Sequence, residues 1–157
     1  PFSLDAPQQV ESLVRDGVVV IHLFGDDMGV DLSGRHLVDA IRAVHTHLVS
    51  QALRDRARLI VSGGIAAADH VAKAIACGAD AVQLVSELLV RGAGRLAELR
   101  AEVADWLERH DVAALTDLVG CLSLERCADP EAYERAQYLR VMLAWEAGSR
   151  RDTRAGR

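Results

Sequence analysis

The stretch Arg58-Leu-Ile-Val-Ser-Gly-Gly-Ile65, continued by Asp80-Ala-Val-Gln-Leu84, decides the fold. Leu59 to Val61 is an apolar run without alternation, which is typical of a strand that is covered on both faces. A helix is predicted over residues 67–77, because apolar residues recur at helical spacing and a glycine follows as a stop. Residues 81–85 form the next strand. Strand, helix and strand make a βαβ unit, so the two strands are predicted to be parallel.

Gly63 and Gly64 directly follow the first of these strands. Paired glycines let the backbone turn sharply and let a ligand come close, because no Cβ stands in the way. Free N–H groups and the positive end of the next helix would face an anion at this point, which in a (β/α)8 barrel is the phosphate site after the last two strands. Such dipeptides are also common punctuation in loops. The residues alone favour a plain tight turn, with a phosphate site as the alternative.

The chain before this unit supplies one more strand and two helices. Residues 18–24 are β-branched and continuously apolar, which predicts a buried strand. A short helix is predicted after Asp5, its candidate N-cap, with Pro7 in the first turn. A second helix is predicted over residues 37–53, with Ser33 as candidate N-cap, because its apolar residues share one face.

Polar residues between these elements have ordinary structural interpretations. Asp26 and Asp27 follow the first strand and are interpreted as solvated turn residues, with orientation of a substrate amine or a metal as the alternative. His45 and His47 lie two apart on a helix and face different sides, so they are interpreted as packing or surface residues rather than as a metal site. Residues 54–56 are predicted to form surface ion pairs of little energetic consequence.

Helices dominate the chain after the second strand of the βαβ unit. Ser86 is predicted to cap a helix. A long amphipathic helix is predicted over residues 95–110, followed by a short helix over 112–119 and a last helix over 130–145. Residues 148–157 are small and charged and are predicted to be disordered.

The composition is that of a soluble globular protein. The chain has 157 residues, of which 50% are hydrophobic and 26% charged, and a net charge of −5. This charge implies no basic surface for nucleic acid, and no apolar run is long enough to cross a bilayer. Three cysteines in the absence of a targeting pattern predict free thiols in a reducing cytoplasm, with Cys77 in the core and Cys121 and Cys127 as small packing residues.

Two segments carry a family resemblance. Leu53-Arg-Asp-Arg-Ala-Arg-Leu-Ile-Val-Ser-Gly-Gly-Ile65 and Asp69-His-Val-Ala-Lys-Ala-Ile-Ala-Cys-Gly-Ala-Asp-Ala81 resemble the FMN-binding barrel of the glutamate synthase family. More loosely, they resemble other FMN-dependent (β/α)8 oxidoreductases. The resemblance extends from about Val20 to Leu89.

The resemblance implies a cofactor, a reaction type and cofactor-binding residues. The cofactor would be FMN, and the reaction an oxidation or reduction at a carbon–nitrogen centre of an amino-acid substrate, as in glutamate biosynthesis. It implies no catalytic residue, because earlier strands of a barrel would supply much of the site. The implied cofactor-binding residues are Ser62, Gly63, Gly64 and Ile65 in a first phosphate loop and Val85 and Ser86 in a second.

The sequence departs from the family pattern at several points. Val85 stands where the family has glycine, so its Cβ is expected to crowd a phosphate. The segment Phe24-Gly-Asp-Asp-Met-Gly29 replaces a glycine-rich acidic segment. Family members hold a [3Fe-4S] cluster on three cysteines. Cys121 and Cys127 keep one of the two spacings, but the third position falls on Ala132, so no iron–sulfur cluster is expected.

The fold class predicted is α/β, as the C-terminal part of a TIM (β/α)8 barrel with three parallel strands and a helical extension. The strands are expected near residues 18–24, 58–62 and 80–85. A complete barrel needs about 250 residues, so we expect a fragment, or a half-barrel closed by self-association or by a partner chain. The expected domains are residues 1–94 as the partial barrel, 95–147 as the helical extension and 148–157 as the tail.

Three functional hypotheses follow. The first is an FMN-dependent oxidoreductase of the glutamate synthase type that acts on a small molecule. The second is a degenerate, non-catalytic half-barrel that serves as an interaction or regulatory subunit. The third is a phosphate-ligand-binding barrel fragment without flavin. Gly64→Asp is expected to abolish phosphate or flavin binding without unfolding the chain, because it would place a negative charge in the anion site.

Overall fold

The computed structural model describes residues 6–31 and 34–123. The chain divides into two compact units, residues 1–123 and 124–157, and the first contains everything described below. The helix predicted over 130–145, the tail and Cys127 lie outside the described residues, as do Asp5 and Ser33. The division of the chain at residue 94 stays a prediction.

Three parallel strands and six α-helices make up the described part of the chain. The strands lie in the order β1-β2-β3, and both neighbouring pairs are parallel. The α/β class with three parallel strands is therefore confirmed. In chain order the elements are α1 (Ala6–Arg15), β1 (Val20–Phe24), α2 (Leu37–Ser50), a 3-10 turn (Arg54–Arg56), β2 (Arg58–Ser62), α3 (Ala68–Ala76), β3 (Ala81–Gln83), α4 (Ser86–Arg91), α5 (Gly94–Arg109) and α6 (Leu115–Leu118).

One face of the sheet is buried by the helices. Leu23 pairs in register with Val61, and Val61 with Val82, so these side chains form a row across the three strands. Leu23 and Val61 are almost fully buried, and so are the helix residues that pack with them. These helix residues are Val10 and Val14 of α1, Ile41, Val44 and Leu48 of α2, and Val71 and Ile75 of α3.

On the opposite face of the sheet the described residues leave β1 exposed, which corrects the prediction of a first strand buried on both sides. Along β1, Val20 and Phe24 are 51% and 47% exposed, while Ile21 between them is buried. His22 and Phe24 stand in register with Ile60 and Ser62 of β2 on this open face. An apolar run resembles a doubly covered strand, but it cannot show whether a second layer is present. In a closed barrel this face would line the interior.

Two helices begin differently from the predictions. The N-cap residue of α2 is His36 rather than Ser33, and the N-cap residue of α4 is Val85, so that Ser86 is the first helical residue. Neither cap makes a side-chain hydrogen bond. The loop before α2 explains the first difference, because Val30 bridges to His36 and closes the loop before the helix can start.

Arg54 is part of a buried polar cluster, not of a surface ion pair, and that prediction was wrong. Its side chain is 12% exposed. Its Nη2 donates to Asp80 Oδ2 at 2.7 Å and to the Gly78 carbonyl at 2.9 Å, and its Nη1 donates to the Ala57 carbonyl at 2.8 Å. Asp80 Oδ2 also accepts the N–H of Leu59 at 2.7 Å. The arginine therefore joins the chain before β2 to the start of β3.

His45 completes this cluster from α2. Its ring is buried, and its Nδ1 accepts a hydrogen bond from Arg54 Nε at 3.0 Å. Two glycines make room for the ring: a Cβ at Gly78 would collide with it, and one at Gly120 would stand 2.5 Å from its Nε2. The interpretation of His45 as a packing residue is confirmed. We call Arg54, His45 and Asp80 the basal cluster, because they lie at the end of the sheet where the strands begin.

Candidate functional site

A cavity of about 290 Å³ lies at the other end of the sheet, where the strands finish. The loops that follow β1, β2 and β3 all contribute to its wall. Its lining contains all six residues that the resemblance implied: Ser62, Gly63, Gly64, Ile65, Val85 and Ser86. The structure thus brings the two implied phosphate loops to one place, and a role for these residues in cofactor binding stays a prediction.

The loop after β2 presents backbone donors without protein acceptors. Within the described residues, the N–H groups of Gly63, Gly64 and Ile65 donate to no protein atom. The next N–H, that of Ala66, lies 3.3 Å from His70 Nδ1, and the same ring nitrogen lies 3.0 Å from the Gly64 carbonyl. The histidine ring therefore holds the far side of the loop, and the three preceding N–H groups remain available to a ligand.

Close packing against the loop after β1 explains why this position needs two glycines. Gly63 and Gly64 have φ values of +105° and +64°. A Cβ on Gly63 would collide with the Gly25 carbonyl, and a Cβ on Gly64 would stand 2.6 Å from the Gly29 nitrogen. Gly64→Asp is therefore not the clean test expected from the sequence, because any side chain here would displace the neighbouring backbone.

The loop after β1 is closed by Asp26. Its Oδ1 accepts the N–H groups of Met28 and Val30, both at 2.9 Å. This confirms the interpretation of Asp26 as a turn residue. Asp27 lines the cavity beside it.

A contact between two strands adds a feature that sequence reasoning missed. His22 Nε2 of β1 lies 2.8 Å from Ser62 Oγ of β2. Both side chains are on the open face, and Ser62 also lines the cavity. The two residues are 40 positions apart, so only the strand register could have indicated the contact.

The backbone of the loop after β3 accommodates a side chain at Val85, the position where the resembled family has glycine. Val85 has φ −127° and ψ −61°, values that do not require glycine. Its side chain is 52% exposed. Ser86 follows as the first residue of α4 and also lines the cavity. The expected crowding of a phosphate by Val85 stays a prediction.

The charged side chains that line the cavity are acidic. Among the described residues, those that line it include Asp26, Asp27 and Glu87 but no lysine or arginine. The negative charge of Glu87 is partly offset by two arginines, because its Oε2 lies 3.4 Å from Arg91 Nε and 3.6 Å from Arg95 Nε. An anion in this cavity would be held mainly by backbone N–H groups.

Arg95 is itself held by a carboxylate of the same helix. Its Nη1 and Nη2 contact the two oxygens of Glu102, at 2.5 and 3.2 Å. The hydrogen bond to Arg95 lowers the pKa of Glu102, and the same bond raises the pKa of Arg95. Arg95 is therefore a permanent positive charge.

The cysteines and histidines of the described residues do not form a metal site. No group of three or more His, Cys, Asp or Glu in that part of the chain could hold a metal ion. Cys77 is buried as predicted, and burial raises the pKa of its thiol. Cys121 is exposed, which corrects its interpretation as a packing residue. It lies in the turn after α6, where hydrogen bonds from its neighbours Gly120 and Leu122 hold the backbone and leave the side chain outside.

Comparison with known proteins agrees with this geometry. A family model described as a conserved region in glutamate synthase matches residues 25–98. The recognition made from the sequence is confirmed, and the matched segment contains both loops of the cavity.

The chain is also similar to a curated protein with a different name. The chain is 35% identical over 92 residues to the dihydroorotate dehydrogenase (quinone) of Deinococcus radiodurans. The match covers 57% of this chain and 24% of that protein. The chain therefore spans about a quarter of the length of the curated relative that it matches.

Solved structures show the same fold. The recombinant flavin-binding domain of baker's yeast flavocytochrome b2 matches with a TM-score of 0.64 and 23% identity, over 72% of this chain and 31% of that chain. A ligand-free DHODH from Eimeria tenella matches with a TM-score of 0.62 and 14% identity, over 76% and 37%. The fold is that of part of a (β/α)8 barrel, and the relatives belong to the FMN-dependent oxidoreductase barrels.

Among residues 6–31 and 34–123, none of the helices is both long and apolar enough to cross a bilayer.

Proposed function

We propose that residues 20–91 form the FMN-phosphate-binding part of an oxidoreductase of the glutamate synthase type. The substrate would be a small molecule that reacts at a carbon–nitrogen centre. One observation carries the proposal: two loops that follow neighbouring parallel strands converge on one cavity, and the first offers three unused backbone N–H groups. Ligands of open and closed parallel sheets bind at this end of the strands.

The residues around the cavity fit the phosphate end of FMN in their hydrogen-bonding capacity. The N–H groups of Gly63, Gly64 and Ile65 can donate to phosphate oxygens, and the hydroxyl of Ser86 is a further donor from the second loop. Asp27 opposes an anion, so the fit depends on the backbone donors. When bound, the flavin would supply the redox chemistry, while the chain binds and orients it.

The open face of the sheet supports the proposal that another polypeptide completes the barrel. Val18, Val19, Val20 and Phe24 are all exposed apolar residues on or beside β1. Exposed apolar surface and an unpaired strand edge favour association with further strands. The proposed arrangement is a barrel closed by a second copy or by a partner chain, in the cytoplasm, with no nucleic acid or membrane as partner.

The phosphate site can be tested at Ser86, which is exposed and lies in the first turn of α4. Ser86→Asp places a negative charge at the cavity, while the helix dipole tolerates an acid at this position. Ser86→Asn is the matched neutral control. We expect Ser86→Asp to weaken FMN binding by at least about tenfold, a coupling of about 1.4 kcal/mol, and Ser86→Asn to have a small effect.

The measurement is a fluorescence titration of FMN with each purified variant, accompanied by a thermal melt. Equal FMN affinity in the two variants would refute the phosphate-loop assignment. A wild-type chain that retains no flavin at micromolar concentration would refute the FMN proposal for this chain by itself.

The backbone donors of the loop after β2 would also serve a second candidate, a phosphate-ligand site without flavin. Such a site would bind inorganic phosphate and FMN with similar affinity, because the isoalloxazine ring would add no contacts. Competition between the two ligands separates the candidates. The third candidate, a non-catalytic interaction subunit, is supported by the open sheet face, and it predicts a stable complex with neither ligand bound.

A further inference from the structure

Arg95 lies behind the wall that the two loops of the cavity share. Its side chain is 6% exposed, and it is the only arginine of the described residues that is buried. It belongs to the first turn of α5, outside both loops. An arginine is rarely buried without partners, because desolvation of its charge is costly. The contacts that offset this cost show what the residue does.

The guanidinium of Arg95 contacts both loops at once. Its Nη2 donates to the carbonyl of Ala66, in the loop after β2, at 2.9 Å. Its Nε lies 3.6 Å from Oε2 of Glu87, in the first turn after the loop that follows β3. Ala66 and Glu87 both line the cavity. A single planar group thus bridges the two segments from which the ligand donors come.

Its remaining contacts explain how Arg95 is held in place. Glu102 takes both terminal nitrogens, and Glu98 lies 3.4 Å from Nη1. These are contacts within one helix, and they would suffice for an ordinary surface ion pair. They do not account for burial against the loops, or for the hydrogen bond to Ala66.

Two atoms at this junction are buried without hydrogen-bond partners. They are Oε2 of Glu87 and Nε of Arg95, which face each other beyond hydrogen-bond distance. A buried polar group that lacks a partner is costly, and such groups concentrate where a structure has a use for them. The two charges attract each other at this distance. The pair therefore places opposite charges behind the cavity wall although no hydrogen bond joins them.

We infer that Arg95 is a positioning residue that holds the two cavity loops in register and offsets the charge of Glu87 beside a bound phosphate monoester. The part that concerns the ligand rests on the proposed function, whereas the coupling of the loops does not. The planar fork matters, because a guanidinium can donate to Ala66 while its Nε faces Glu87. A lysine ammonium at the same position could reach only one of them.

The coupling of the loops is tested by amide hydrogen exchange in the absence of ligand. The Val71 amide, which donates to Ala67, reports on the start of α3, and the Leu89 amide, which donates to Val85, reports on α4. We expect Arg95→Met to speed exchange at both amides by about tenfold or more, with the Ala79 amide at the basal end unchanged. Arg100→Met is the matched control, because Arg100 is an exposed arginine on the same helix.

Arg95→Lys keeps the positive charge, so it provides a second test if Arg95→Met does not fold. We expect it to loosen one of the two amides and leave the other close to wild type. Exchange equal to that of wild type in both Arg95 variants would overturn the inference. Uniform loosening of the whole unit in Arg95→Lys would also overturn it, because this would indicate a general structural role.

The effect on the ligand is tested with FMN and riboflavin, which differ by the phosphate. Arg95→Met should weaken FMN binding roughly tenfold, which is the usual size when a supporting residue is lost, and leave riboflavin binding unchanged. Adding Glu87→Gln to Arg95→Met should restore part of the FMN affinity, because it removes a carboxylate that Arg91 alone would then offset. Equal losses for the two ligands, or no recovery in the double variant, would overturn the charge-balancing role.

These outcomes separate the inference from the proposed function. If the wild-type chain binds no FMN but Arg95→Met loosens both loops, the proposed function fails and the positioning role stands. If FMN binds and Arg95→Met changes neither the exchange nor the preference for FMN over riboflavin, the positioning role fails and the proposed function stands.

Discussion

The two ends of the sheet are built in opposite ways. At the end where the strands begin, side chains of the basal cluster satisfy one another, and Arg54 alone makes four hydrogen bonds to neighbouring groups. At the end where the strands finish, the polar groups are mostly backbone N–H groups, and those of Gly63 to Ile65 have no protein acceptor within the described residues.

This difference separates groups that stabilise the fold from groups that are available to a ligand. A buried network whose members are all paired rigidifies the structure and is costly to break. Unused donors at the edge of a cavity contribute nothing to folding, yet they are ready to bind an anion. In (β/α)8 barrels the C-terminal end of the strands carries function and the opposite end carries stability. The described residues form three strands, with the paired network at one end of the sheet and the unused donors at the other.

The largest expected effect is at the basal end. Arg54→Met removes the cation from a largely buried pair and leaves Asp80 without its main partner. We expect a loss of about 3–4 kcal/mol in the free energy of unfolding, measured by urea denaturation. Arg56→Met in the same turn is the control, because Arg56 is exposed. Similar losses in the two variants would mean that the basal cluster has no special role in stability.

A smaller loss is expected from an added methyl group at the cavity. Gly63→Ala places a Cβ against the Gly25 carbonyl at φ +105°, so we expect a loss of about 2–3 kcal/mol and weaker FMN binding. Gly92→Ala is the matched control: its φ is +81°, and no atom lies within 4 Å of the added Cβ, so backbone strain alone should cost about 1 kcal/mol. Equal stabilities would show that the two loops can separate freely.

The smallest effect concerns Cys77, which follows α3 on the side of the basal cluster. Burial raises the pKa of its thiol, so the reactive thiolate is scarce at neutral pH and increases as the pH rises toward that pKa. In a chain with Cys121→Ser and Cys127→Ser, we expect slow labelling by a disulfide reagent at pH 7.5. FMN should change the rate less than twofold, whereas Arg54→Met should raise it.

Labelling of Cys77 that slows strongly when FMN binds would contradict the separation of the two ends. It would mean that ligand binding at the cavity is transmitted through the sheet to the basal cluster.

Much of the fold could be predicted because it depends on local patterns. The three strands, the helices α2 and α3, and the glycine turn all follow from periodicity and from residues with special backbone freedom. The third strand was expected over residues 80–85 and is Ala81–Gln83. It is shorter because Val85 already serves as the N-cap residue of α4. The six residues implied for the cofactor came from the family resemblance, and the structure brings them to one cavity.

Two of the errors have a common physical cause. Arg54 was interpreted as a surface residue because its neighbours in the sequence are charged, but its partner Asp80 lies 26 positions away. Gly64→Asp was expected to leave folding intact because the sequence does not show the loop that packs against Gly64. In each case the deciding contact joins segments that are distant along the chain.

The sequence by itself determined the strands, the helices between them, the glycine-rich turn and the resemblance to the glutamate synthase family, because each is encoded within short stretches of the chain. Only the tertiary structure decided that one face of the sheet is open, that His22 meets Ser62, and that Arg95 bridges to Ala66 across 29 positions. These features depend on strand register and helix packing, which bring distant side chains together and leave no local trace in the chain.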